Sequence, residues 1–66
     1  MTPDQFRALR ESLGLTQSEW GHWLGVHRVN VSKIESGKKA ISPTLARLLD
    51  AIASGYRPEL KAPRGL

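Results

Sequence analysis

Four apolar-patterned segments, each closed by a glycine, fill the chain as far as Gly55 and leave room for little but short helices. The first opens at Thr2. Thr2 and Gln5 form a T-x-x-Q capping box, and Pro3 takes the first helical position, where its missing N–H costs nothing. Phe6, Leu9 and Leu13 recur at i, i+3 and i+7 on one helical face, and Gly14 ends the run. The second opens on the capping box Thr16–Glu19, runs through Trp20, Trp23 and Leu24, and stops at Gly25. The third begins near His27 or Arg28, carries Val31 and Ile34, and stops at Gly37. The fourth opens with Ser42 as cap and Pro43 behind it. It gathers Leu45, Leu48, Leu49 and Ile52 on one side and closes at Gly55. No stretch alternates apolar and polar residues for more than a few positions, so no strand is expected.

Sixty-six residues make at most one domain. The expected division is a helical domain over 1–55 and a tail over 56–66. The tail holds two prolines and one glycine in eleven residues and has no helical period. A core this small is marginal unless its helices pack well or a second subunit helps. With no cysteine, disulfides and thiolate metal sites are excluded, which fits a reducing cytoplasm. Met1 leads straight into a helix-start signal, so no signal peptide is expected. No apolar run approaches the roughly 20 residues needed to cross a bilayer.

The formal charge of +4 is unevenly spread. Residues 1–24 sum to −1, 25–40 to +3, 41–55 to zero and 56–66 to +2. Positive charge therefore collects on one short central segment and on the tail, the distribution of a docking surface for an anionic partner with a basic arm beside it.

The segment Gln17 to Ser36 joins two short helices across Gly25-Val26. Gly21 lies mid-helix, where glycine costs roughly 1 kcal/mol against alanine. Close approach of the second helix compensates, because steeply crossed helices leave no room for a side chain there. Trp20, Leu24, Val26, Val31 and Ile34 are expected to fill the angle. Successive helical residues turn by about 100°. With Arg28 at zero, Ser32 falls at about 40°, Ser36 at about 80°, Val29 at about 100° and Lys33 at about 140°, whereas Val31 and Ile34 fall on the opposite side. The third helix thus buries Val31 and Ile34 and presents donors plus one methyl-bearing residue. Arg28 and Lys33 suit guanine acceptors, Val29 a thymine methyl, and Ser32 either. These four are the candidate base contacts.

Candidate phosphate contacts flank them. Gln17 lies in the first turn of the second helix, where free N–H groups and the dipole favour an anion. Lys38 and Lys39 follow the third helix directly, and Ser42 opens the fourth. Asn30 and Ser36 sit at the margins of the strip.

These residues resemble the helix-turn-helix of the phage repressor/Cro (Xre-like) family. The resemblance rests on Leu15-Thr16-Gln17, small Gly21, Leu24-Gly25-Val26, and Val31 with Ile34-Glu35-Ser36-Gly37-Lys38, and it covers roughly residues 3–55. It implies a compact all-α, lambda-repressor-like domain of four to five helices that binds double-stranded DNA through its third helix. It also implies that Arg10 and Glu35 form a buried ion pair. The chain departs from the family pattern at Gly21, where alanine is usual, at the large Trp20 and Trp23, and at His27, where serine or threonine usually caps the helix.

The expected function is a transcriptional regulator, an (auto)repressor acting as a homodimer on an inverted-repeat operator. Leu49, Ile52, Tyr56 and Leu60 are the candidate dimer contacts, because together they exceed what four such helices are expected to bury. One alternative is an antitoxin that binds a toxin protein as well as its operator; another is an interaction module that has lost DNA binding. No cofactor is expected. His22 and His27 are five residues apart with a turn between them and no third ligand, so no metal site is read. No nucleophile, base and orienting group form a set, so no enzyme is expected.

Overall fold

The structure is a computed structural model describing residues 1–58. Four helices follow one another: α1 (Pro3–Ser12), α2 (Gln17–Leu24), α3 (Arg28–Glu35) and α4 (Pro43–Ala53). No strand occurs among the described residues, and none of their helices is long and apolar enough to cross a membrane.

Each helix begins where a side chain satisfies a free backbone donor. Thr2 accepts the Gln5 N–H at 3.1 Å while Gln5 Oε1 accepts the Thr2 N–H at 2.9 Å. Thr16 and Glu19 repeat the arrangement at 3.1 and 2.9 Å. Ser42 Oγ accepts the Leu45 N–H at 3.2 Å, with Pro43 behind it. At α3 the acceptor is His27 Nδ1, 3.0 Å from the Val29 nitrogen.

Every helix contributes to one core: Phe6 from α1, Trp20 and Leu24 from α2, Val31 and Ile34 from α3, and Leu45, Leu49 and Ile52 from α4. Leu9, Leu13, Leu15, Trp23, Val26, Ile41 and Leu48 pack around it, partly buried. Trp20 stands at its centre, its ring 5.7 Å from that of Phe6 and 6.2 Å from that of Trp23, both tilted. Its Nε1–H is buried with no acceptor among the described residues. An orphan donor costs about 1–3 kcal/mol. Burying an indole removes about 150–250 Å² from water, worth about 4–6 kcal/mol, so the placement still favours folding.

The helix count agrees with expectation, but the core corrects one inference. Leu49 and Ile52 are 0% and 1% exposed within a single chain. Four helices do bury them, because α4 turns the face carrying Leu45, Leu49 and Ile52 into the common core rather than leaving it at the rim. They have no surface to offer a second subunit. Tyr56 remains exposed, and Leu60 lies outside the described residues.

Candidate nucleic-acid interface

The turn between α2 and α3 is built on two glycines with different tasks. Gly25 caps α2 at φ 74°, a conformation that a β-carbon disfavours. Gly21 makes room. A β-carbon there would lie 2.5 Å from the Val26 carbonyl oxygen and 3.3 Å from Val31 Cγ2. The same Gly21 carbonyl accepts the Val26 N–H at 2.8 Å. The chain therefore reverses directly against α2, and α3 starts two residues later with Val31 buried against the gap.

This anchoring sets which side of α3 is free. Val31, Ile34 and Glu35 are buried; Arg28, Val29, Ser32 and Lys33 are exposed, and Val29 keeps 44% of its surface. Asn30 is half-buried at the edge. Gly37 turns the chain after α3, and the Lys38 and Lys39 amides both donate to the Lys33 carbonyl, at 2.8 and 3.2 Å. The two lysines are thereby held just beyond the helix end, with exposed side chains. Ser36 Oγ donates to the same Lys33 carbonyl at 3.1 Å.

Behind α3, one carboxylate collects donors from two helices. Arg10 Nε lies 2.7 Å from Glu35 Oε2 and Nη2 lies 3.2 Å from Oε1, a bidentate pair whose side chains are 14% and 6% exposed. Arg10 Nη1 also donates to the Leu15 carbonyl at 2.9 Å, tying in the α1–α2 connection. Gln17 Nε2 donates to Glu35 Oε1 at 3.1 Å, and Arg7 Nε stands 3.9 Å from that oxygen. Burial of a charge is tolerable only when it is paired and bonded in this way.

A family model described as a helix-turn-helix domain matches residues 4–60. The chain belongs to this helix-turn-helix family. Its members are Xre/Cro-like DNA-binding domains, and membership supports a DNA-binding regulator. No curated protein and no solved structure matches the chain.

Within this helix-turn-helix domain the sequence-derived candidates separate into groups. Arg28, Val29, Ser32 and Lys33 share one open face, with Ser36, Lys38 and Lys39 continuing it. Ser42 is exposed with its oxygen accepting at the α4 cap, which leaves its hydroxyl hydrogen free to donate. Gln17 differs from expectation: one amide hydrogen is committed to Glu35, so its contribution to an anion falls to its backbone N–H and the second amide hydrogen. Two roles escaped the residue pattern. The Gln17–Glu35 contact joins positions 18 apart, beyond any helical period. Arg57 Nη1 donates to the Ile52 and Tyr56 carbonyls at 3.0 and 2.8 Å, capping α4 from behind, where composition suggested only a basic arm.

Proposed function

We propose that the domain is a transcriptional repressor of its own promoter that binds an inverted-repeat operator as a two-fold dimer, with α3 in the major groove. The observation that supports this most is the composition of the free face of α3. Arg28, Ser32 and Lys33 are exposed and make no side-chain hydrogen bond or ion pair among the described residues, and Val29 is exposed between them. A valine held in water among cations gains nothing for the fold, whereas against a thymine methyl it discriminates between base pairs. Lys38, Lys39, Ser36, Asn30, Ser42 and the first turn of α2 surround that strip and take phosphates, fixing register without reading sequence.

A domain of this size covers one half-site, and useful affinity requires two. With Leu49 and Ile52 committed to the core, the dimer contact is carried by Tyr56, just beyond α4, and the residues after it. Half-site centres are then about 34 Å apart, one turn of the duplex. Selection of bound sequences from random duplexes tests the proposal. Enrichment of an inverted repeat is expected; a single unrepeated site, or no enrichment, refutes it.

A further inference from the structure

Of the four helices, only α3 is capped by a ring nitrogen. Thr2, Thr16 and Ser42 cap the others through hydroxyl oxygens, which accept at any ordinary pH. The Val29 N–H is held by His27 Nδ1 at 3.0 Å. That nitrogen accepts only through a bare lone pair, so the bond requires a neutral ring with its hydrogen on Nε2. An imidazolium donates from both nitrogens. It loses this bond and places a charge at the positive end of the helix dipole.

Among the described residues, little around the ring offsets that change. The first turn of α3 has no acidic residue, and its first residue is the cation Arg28. The element packed against this end is α2, through Gly21 beside the Val26 oxygen and the Arg28 nitrogen. Its titratable groups are Glu19, whose carboxylate accepts the Thr16 N–H at the far end of α2, and His22, which is exposed. α1 meets α3 at the opposite end, where Arg7 and Arg10 face Glu35.

We infer that His27 is a positioning residue for sequence reading: its neutral ring holds the first turn of α3, and with it Arg28 and Val29, in reading geometry. Discrimination between operator and random DNA then weakens on acidification, while general attraction to DNA does not. This rests on the proposed reading role of α3. Imidazoles change charge between about pH 5 and 8. Loss of an N-cap shifts a helix equilibrium by about fivefold. The ratio of operator to random affinity therefore falls, by at most about fivefold per subunit, between about pH 7.5 and about pH 5.5. Affinity for random duplex holds or rises, because protonation adds a cation beside the phosphates.

The test measures both affinities at the two pH values, at fixed ionic strength, for the native chain, His27→Ser and His22→Gln. The serine variant keeps a hydroxyl cap and is expected to hold its ratio constant, while His22→Gln follows the native chain. Ring nitrogen spectra of the free native protein at about pH 7.5 are expected to show the hydrogen on Nε2. A native ratio that is high at pH 7.5 and flat with pH overturns the inference while leaving the DNA reading intact. So does a serine variant that loses discrimination in parallel with the native chain, or a ring protonated on Nδ1. Absence of any sequence preference at pH 7.5 overturns the DNA reading itself, and the inference with it.

Discussion

Replacing Arg10 by methionine removes the cation from a pair that fixes α3 from behind. Arg10 is 14% and Glu35 6% exposed, so the solvent screening that makes surface pairs nearly worthless applies only weakly. The substitution deletes both bonds to Glu35 and the one to the Leu15 carbonyl. Glu35 keeps Gln17 at 3.1 Å and Arg7 at 3.9 Å, a partial replacement. Breaking a buried pair on one side costs about 3–5 kcal/mol, and the surviving partners place this case at the lower end, about 3 kcal/mol. A domain of this length has about 3–10 kcal/mol in all. At about 4–8 °C per kcal/mol, Arg10→Met lowers Tm by about 12–24 °C. Thermal and urea unfolding at neutral pH measure this directly. The double variant Arg10→Met, Glu35→Leu is expected to recover most of the loss, because the unpaired charge, not the missing bond, is the main cost. A loss below about 1 kcal/mol for the single variant, in the range of exposed pairs, refutes the reasoning.

If α3 reads bases as proposed, reading and holding separate by mutation. Arg28→Ala should cost about 1–3 kcal/mol on the operator and much less on random duplex, with relaxed preference at symmetric positions. Lys38→Ala should weaken both DNAs alike and reduce the salt slope by about one, whereas uncharged Gln17→Ala should weaken both and leave the slope nearly unchanged. Equal losses for Arg28→Ala on both duplexes with an altered slope would make Arg28 a phosphate contact. Gly21→Val should destabilise by about 2 kcal/mol or more in urea unfolding, since the obstruction is the Val26 carbonyl and not a movable side chain; a neutral result would mean the turn can open. Tyr56→Ala should leave monomer stability within about 0.5 kcal/mol, the residue being 54% exposed. It should nevertheless weaken self-association in sedimentation, and unchanged association would place the dimer contact elsewhere.

The helix starts were legible because each is a local signal. Thr2 with Gln5 and Thr16 with Glu19 name both partners of a hydrogen-bonded exchange three residues apart. The outward strip of α3 was legible because Val31 and Ile34 fix its rotation, and the need for a small residue at 21 because a mid-helix glycine asks for a reason. The placement of Leu49 and Ile52 was not. A count of apolar residues says how much must be covered, not which neighbours cover it, and that depends on how α4 meets the rest of the core. Gln17 eluded the pattern for a related reason. Its amide can address solvent or Glu35, and the choice is made by a carboxylate brought close only in the folded chain. For His27, residue type alone leaves open which ring nitrogen accepts; in the folded chain Nδ1 lies 3.0 Å from the Val29 amide nitrogen.

The eight residues of α3 divide their duties by side. Val31, Ile34 and Glu35 tie the helix to the rest of the domain; among the described residues no side-chain hydrogen bond or ion pair of Arg28, Ser32 or Lys33 does so. Exposed side chains without such ties tolerate exchange at a cost within about 0.5 kcal/mol. On the proposed reading role, the strip is thus free to drift, one residue at a time, to a different address on DNA without passing through an unfolded intermediate. Descendants of this chain that diverge at 28, 29, 32 and 33 would keep the same architecture while answering to different promoters, and relatives in one genome would avoid cross-talk by changes confined to those positions.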